Sequence, residues 1–453
     1  MKYERARTWT ILVLVIACGA HSSDWPQWRG PQRNGFSEEK GLTARAPALK
    51  WEAAVRSGGR GMSHDYNGSV AICGGRVFVV AQQDETPNRN EALWAFDLAT
   101  GKLLWKHPLR ANPADIDANA SGNSTPCAEG GLVWAAGQMG EVLCCDAASG
   151  KEVWHAALPR PSKPDCDNLG NSPLLFNDLL IACNFKGYAA FDKKTGQARW
   201  KWPGESETYG ALESSSAVVG KFGGRDVLVF TGYTTRKWRN QYEPGTKEQP
   251  TFIEAEALFG VDPTNGKTLF MEKLVGEMNT PLVLNGLVFA TRVVPEKATG
   301  SMYGTFFTLL ALKCEPSGKE AWTVAEAWRA KWHSSNRRCV FSPATDGQRI
   351  FFAREGIGLD CYEAATGKEL WVGKAGYIHH DSGSVSPIVA DGKVFSFESE
   401  SGKLFCLNAA DGKPLWQLDA FAKDEGKYAA PALADGCLVL RGGKSLKCFS
   451  LKP

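Results

Sequence analysis

Ala95-Phe96-Asp97-Leu98-Ala99-Thr100-Gly101-Lys102-Leu103-Leu104-Trp105 decides the fold, because its pattern returns along the chain. Cys144-Cys145-Asp146 leads to Ser149-Gly150-Lys151 and Trp154, and Ala190-Phe191-Asp192 leads to Thr195-Gly196-Gln197 and Trp200. Gly260-Val261-Asp262 leads to Asn265-Gly266-Lys267, with Phe270 in the aromatic place. Ala311 is followed by Ser317-Gly318-Lys319 and Trp322, with one extra residue before the glycine. Cys361-Tyr362-Glu363 leads to Thr366-Gly367-Lys368 and Trp371, and Cys406-Leu407-Asn408 leads to Asp411-Gly412-Lys413 and Trp416. Each glycine stands four residues before its aromatic residue, and successive glycines lie 49, 46, 70, 52, 49 and 45 residues apart. A period in the forties matches four short strands, the unit of a propeller blade.

The chemistry of the unit is local. The residues before the aspartate form a strand, and Asp-x-x-Thr-Gly-Lys is a tight hairpin turn. Glycine supplies its positive φ, and the aspartate bonds its own backbone a few residues on. The next strand carries the aromatic anchor. A second landmark precedes each copy: a small polar residue beside proline or a small residue, then an apolar strand. It occurs at Ser124-Thr125-Pro126, Asn171-Ser172-Pro173, Asn279-Thr280-Pro281, Ser342-Pro343, Ser386-Pro387 and Ala430-Pro431, and more loosely at Asn67-Gly68-Ser69 and Ser215-Ser216-Ala217. Proline is tolerated at the first residue of a strand. These eight sites read as the starts of eight innermost strands.

Eight starts and seven complete motifs leave an orphan at each end. Leu446–Leu451 carries Cys448 at the motif's first position and then stops, while Leu49-Lys50-Trp51 reads as a lone outer strand. Each supplies what the other lacks. The expected fold is therefore all-β: an eight-bladed propeller of four-stranded antiparallel blades, closed by the N-terminal outer strand. Its anchors are Trp51, Trp105, Trp154, Trp200, Phe270, Trp322, Trp371 and Trp416.

These motifs resemble the tryptophan-docking repeat of pyrroloquinoline-quinone (PQQ) dehydrogenase propellers, Ala-x-Asp-x-x-Thr-Gly-Lys-x-x-Trp. They are similar, more loosely, to those of the propeller lipoprotein of bacterial outer-membrane assembly. The stretch Asp24-Trp25-Pro26-Gln27-Trp28-Arg29-Gly30-Pro31 with Asn34-Gly35 resembles the start of exported PQQ-repeat proteins of planctomycete-type bacteria. The resemblance implies that each indole packs between the small first residue of its motif and the turn of a neighbouring blade. Ala95, Cys144, Ala190, Gly260, Ala311, Cys361, Cys406 and Cys448 are all small enough for that place.

The N-terminus reads as an export signal over residues 1–20, followed by an extension over 21–48 and the propeller over 49–453. Lys2, Arg5 and Arg7 precede a nine-residue apolar core, Trp9 to Ala17, which is too short to span a bilayer. Val15-Ile16-Ala17-Cys18 resembles a lipobox, so Cys18 is a lipidation candidate; cleavage near Ala20 is the alternative. Either places the chain in the periplasm or cell envelope, and no later segment is apolar enough to span a membrane. A net charge of +3 without a dense basic run argues against a nucleic-acid partner.

Chemistry is harder to find than architecture. The resemblance implies a cofactor on the channel axis held by Ca²⁺ with Glu and Asn ligands, and Glu213 and Asn279 lie just before inner strands. Cys144-Cys145 is an adjacent pair, as in the dehydrogenases' vicinal disulfide, but it lies inside a repeat strand. No catalytic aspartate or tryptophan platform can be placed, so no cofactor and no metal is assigned, with PQQ and Ca²⁺ kept as the competing reading. His64, Asp65, Asp167, Arg338, His379, His380 and Asp381 sit in connections leading to inner strands. They are candidate ligand contacts at the channel mouth, although solvated loop residues of these types are common. The longest repeat spacing holds an insert with Arg236, Lys237, Trp238, Arg239, Tyr242 and Glu243, which suits a sugar or peptide contact and equally a loop packed over the blade side. The expected function is a non-enzymatic exported scaffold that binds a protein, peptide or glycan. The alternative is a PQQ- and Ca²⁺-dependent dehydrogenase of alcohols or sugars.

The docking role makes a direct prediction. Trp154→Ala lowers the melting temperature clearly, at a cost of about 3–5 kcal/mol, and an unchanged melt by calorimetry contradicts it.

Overall fold

A computed structural model describes residues 24–56, 68–83, 91–109, 124–137, 140–158, 171–184, 187–204, 216–233, 256–273, 280–294, 306–318, 321–333, 342–354, 358–374, 386–398, 402–422 and 429–452. The described residues hold no helix, and their strands form eight four-stranded antiparallel blades arranged as a propeller, the seventh of which gains Phe36–Ser37 as a fifth, parallel strand. Blade 1 runs Ala71–Cys73, Arg76–Gln82, Glu91–Asp97 and Leu103–Pro108 from the innermost strand outward, and the later blades repeat this order. The eighth is assembled from both ends of the chain: Ala432–Ala434, Cys437–Arg441 and Ser445–Ser450, with Ala48–Ala54 as its outer strand. Trp51 pairs there with Cys448.

Burial explains the strand patterns. Middle strands are covered on both faces by neighbouring blades, so Arg76–Gln82 is buried throughout its interior and reads as a continuous apolar run. Outer strands alternate, as in Glu152–Ala157, where Trp154 is buried and Val153 and His155 are exposed. The hairpins between first and second strands use Asn285-Gly286, Asp391-Gly392 and Asp435-Gly436, all at positive φ. Two such residues give the primed turn whose twist matches the strands.

Each indole locks two blades together. Opposite it across its own hairpin lies the small first residue of the motif, as in Ala95↔Trp105, Cys144↔Trp154, Ala190↔Trp200 and Cys361↔Trp371. The ring face then covers the turn glycine of the next blade. A Cβ on Gly101 would stand 2.6 Å from Trp51, one on Gly150 2.5 Å from Trp105, and one on Gly196 2.7 Å from Trp154. The indole N–H donates to the carbonyl just after the motif's acidic or Asn residue: Trp51 to Leu98 at 2.9 Å, Trp154 to Lys193 at 3.1 Å, Trp200 to Pro263 at 3.0 Å, Trp371 to Ala409 at 3.2 Å. The turns are held by their aspartates. Asp97 and Asp146 accept from the backbone and hydroxyl of Thr100 and Ser149, and these bonds lower both carboxyls below the usual range.

Blade 5 corrects one expectation. Trp322 is not its anchor: Trp322 faces Pro316, near the tip of a hairpin longer than the others. The residue opposite Ala311 is Trp328, whose N–H donates to Ala364 at 2.9 Å and whose ring covers Gly367. Spacing from Gly318 misleads because pairing with the small residue, not distance from a glycine, defines the anchor. The long hairpin also leaves blade 4 without the usual turn to cover. There the anchor is Phe270, which has no N–H to satisfy; it packs against its own Gly260 and against Trp322, ring centroids 5.4 Å apart.

The seam between blades 7 and 8 is the other exception. Blade 8 is closed by a separate stretch of chain, so no hairpin turn faces Trp416, and its indole nitrogen is buried without a partner. The extension spans this seam instead. Leu42 N–H donates to Asp391 of blade 7 at 2.9 Å, Gly436 N–H of blade 8 donates to Glu39 at 3.1 Å, and Thr43 N–H donates to Leu451 at 2.7 Å.

Two matched substitutions test the account. Trp200→Phe removes a satisfied N–H and strands a carbonyl, whereas Trp416→Phe removes an N–H that has no partner. Trp200→Phe is therefore expected to be the more destabilising by about 1–3 kcal/mol in denaturant melts, and equal losses contradict the assignment.

Candidate functional site

Strand direction separates two faces. First strands start, second strands end, third strands start and fourth strands end on one face; the short hairpins close the other. The connections between blades and those between second and third strands therefore belong to the first face, called here the loop face. His64, Asp65, Asp167, Glu213, Asn279, Arg338, His379, His380 and Asp381 all lie outside the described residues, as do Cys18 and the insert between Tyr233 and Glu256.

Beneath the loop face runs a belt that sequence reading took only for strand starts. Ser69 N–H donates to the Thr125 hydroxyl at 2.8 Å, Thr125 N–H to Ser172 at 3.0 Å, and Ser172 N–H to Ser216 at 3.0 Å. Ser216 N–H continues to Thr280 at 2.9 Å, Thr280 to Ser342 at 3.1 Å, and Ser342 to Ser386 at 3.0 Å. Each small hydroxyl satisfies the backbone of the preceding blade, so seven blades are joined around the channel. Blade 8 has Ala430 in that position, and Ser69 donates to its carbonyl instead, at 2.5 Å. All seven hydroxyl residues are buried. A row of small polar residues was visible in the sequence; its meaning depends on partners 44 to 64 residues away.

Charged side chains stand at the same level. Arg441, at the end of a second strand in blade 8, donates to the Gly68 carbonyl at 2.6 Å. Burial lowers its pKa to about 9 against the opposing pull of Glu91. Glu91 and Glu141 begin the third strands of blades 1 and 2, and a Cβ on Gly137 would stand 3.1 and 2.8 Å from their carboxylates. Among the described residues no group of three His, Cys, Asp or Glu side chains is placed to hold a metal ion.

The extension occupies the hairpin end of the channel. Trp25 exchanges two 2.8 Å backbone bonds with Ile72 of blade 1, and Ala128 N–H of blade 2 donates to Pro26 at 2.8 Å. Thr345 of blade 6 donates to Asn34, and Phe36–Ser37 lies parallel to Val389–Ala390 of blade 7. The exposed edges of inner strands are thus taken by the chain's own backbone. From this segment two arginines reach back to the starts of inner strands. Arg29 Nη2 donates to the Pro343 carbonyl of blade 6, and Arg33 donates to Pro173 at 2.9 Å and Ser172 at 3.1 Å in blade 3. Both guanidiniums lie over the Trp28 ring, at 5.4 and 5.3 Å from its centroid. Sequence reading passed over these arginines because nothing near them in the chain signals the far side of the channel.

The cofactor implied by the resemblance meets one direct test. Cys144 and Cys145 are neighbours in a strand, so their side chains point to opposite faces. Cys144 packs with Trp154 and Leu180, and Cys145 with Val133 and Leu143. They cannot form a vicinal bridge over a ligand, and this part of the dehydrogenase site does not fit. The ten cysteines among the described residues are unbridged.

Solved structures share the architecture. The chain is similar to quinohemoprotein alcohol dehydrogenase from Comamonas testosteroni, with a TM-score of 0.64 and 13% identity, covering 96% of this chain and 82% of that one. BamB from Moraxella catarrhalis gives 0.53 and 12% over 89% and 98% of the two chains, and a europium-containing methanol dehydrogenase gives 0.52 and 12% over 95% and 98%. At these identities the likeness is one of fold. No curated protein matches the sequence.

Burial raises Cys144 and Cys145 to about 12. Both are expected to resist iodoacetamide in the folded protein and to react once denaturant is added, as peptide mass spectrometry will show. A two-hydrogen mass deficit on the peptide carrying both would reveal a bridge and overturn their assignment as packing residues.

One family profile matches residues 41–221 and 307–445, most of the propeller and the end of its extension. The chain therefore belongs to the PQQ-like propeller family described as outer membrane protein assembly factor BamB.

Proposed function

We propose that this protein is an exported, non-enzymatic propeller that binds a protein, peptide or glycan on its loop face. The supporting observation is the asymmetry of the channel. Its hairpin end is filled by Asp24–Leu42 through bonds to six blades, and on that side the third-to-fourth turns at Gly101, Gly150, Gly196, Gly266 and Gly367 are short and packed under indoles. All the long connections, including residues 234–255, leave from strand ends on the other face. Long connections carried by a rigid scaffold are where binding residues concentrate. The family's description as an assembly factor supports a protein partner, and among the described residues no helix is long and apolar enough to cross a membrane. The export segment, with Cys18 as a candidate lipid anchor, is part of this reading. Within it, His64, Asp65, Asp167, Glu213, Asn279, Arg338, His379, His380 and Asp381 are the candidate ligand contacts.

The test is reconstitution of purified protein with PQQ and Ca²⁺, followed by cofactor absorbance and dye reduction with an alcohol and sugar panel. The expected result is neither retained absorbance nor turnover. Tight cofactor binding with dye reduction would replace the scaffold reading with a dehydrogenase.

A further inference from the structure

The extension carries two positive charges into the channel without bringing a negative one. Arg29 is 1% exposed and Arg33 3% exposed, and Trp28 between them is 9% exposed. Their partners are neutral carbonyls: Pro343 for Arg29, Pro173 and Ser172 for Arg33. Arg29 Nε and Nη1 and Arg33 Nε are buried with no hydrogen-bond partner. Among the described residues, the groups acting electrostatically on them supply no counter-charge. Arg29 feels Arg33, a like charge; Arg33 feels Cys127, Cys183 and Tyr188, whose burial keeps them protonated and neutral. The buried carboxylate on the same extension, Glu39, is engaged elsewhere, by Gly436 N–H and by Lys452 at 3.8 Å.

Burying an ion without a partner costs several kcal/mol, and the repulsion between two buried like charges adds to it. The Trp28 ring relieves part of this through cation–π attraction. Carbonyl acceptors take up some of the N–H groups but carry no charge. Three nitrogens remain, on two planar guanidiniums, a donor set suited to oxygens that carry negative charge.

We propose that the Arg29–Trp28–Arg33 floor of the channel holds a small oxyanion of the carboxylate, phosphate or sulfate class. The anion neutralises the pair and takes the free N–H groups of Arg29. It is enclosed between the extension and the strand starts of blades 3 and 6, below the belt of hydroxyls. This site is separate from the loop-face residues and does not rest on the function proposed for them. A free inorganic ion and the carboxylate of an organic acid offer the same oxygens, and the experiment separates them.

Full-length protein, exchanged into low-salt chloride buffer, is denatured, and the released anions are identified by ion chromatography and mass spectrometry. In parallel, its melting temperature is followed against phosphate, sulfate and citrate, each compared with chloride at matched ionic strength. The expected result is one oxyanion released per chain, or a saturable rise in melting temperature with at least one of the three. Release or response to phosphate or sulfate identifies an inorganic ion, and release of an organic acid or response to citrate alone identifies a carboxylate. Arg29→Gln weakens the half-saturation by about tenfold or more, whereas Arg45→Gln, at an exposed position, leaves it unchanged. No released anion together with no saturable shift overturns the proposal. So does an equal shift in both variants, which indicates an adventitious ion only. Should Arg29→Gln not fold, Arg33→Gln takes its place, and the release measurement on the unmodified chain decides alone.

Discussion

An indole laid over a glycine is the contact on which the ring depends. It asks three things of two different blades at once: a small residue behind the ring, a turn without a Cβ in front of it, and a carbonyl at the end of its N–H. Trp154 meets all three, with Cys144 behind, Gly196 in front and Lys193 as acceptor. Because the contact spans two sheets, no blade completes its core alone, and stability is shared around the circle. The two exceptions follow the same logic. Where the next blade offers a long hairpin rather than a turn, the anchor is Phe270, with no polar atom to satisfy. Where the next blade has no hairpin turn, Trp416 keeps its bulk and leaves its nitrogen unpaired.

That second exception falls where the ring is closed by distant parts of the chain. The hydroxyl belt is also incomplete there, since Ala430 has no side-chain hydroxyl to offer Ser386. Glu39, Leu42 and Thr43 bridge the same two blades with backbone and carboxylate bonds. The extension is thus part of the fold, and it makes the two faces unlike. One is tight, short-turned and filled by Trp25 and its neighbours; the other bears the long connections. This segment adds to the direction that strand order already gives the propeller.

Much of the architecture was legible because its signals are local. The hairpin turn, the anchor four residues after the glycine and the small first residue all fall within a dozen positions. Their recurrence revealed the blade, and the orphan halves at Trp51 and Cys448 revealed the closure. Trp322 misled because its blade departs from the repeat after Ala311: an outlying hairpin moves the partner to Trp328, and only cross-strand register shows this. The candidate site was less legible. Residues chosen from connections were chosen by type, since loop composition carries no period. The belt hydroxyls and the channel arginines have partners 44 to 361 residues away.

The sequence alone determined the number of blades, their strand order and the manner of closure, because a periodic pattern of turns and aromatic anchors admits one ring. The tertiary structure alone decided what the shared positions do. Gly101 reads locally as a residue of positive φ, yet it must also lie bare beneath Trp51 from the other end of the ring. Ser172 reads as a strand start, yet it satisfies the backbone of Thr125 and offers its carbonyl to Arg33. Local patterns encode conformation; contacts between distant segments, which no spacing records, decide where charge and hydrogen bonds converge.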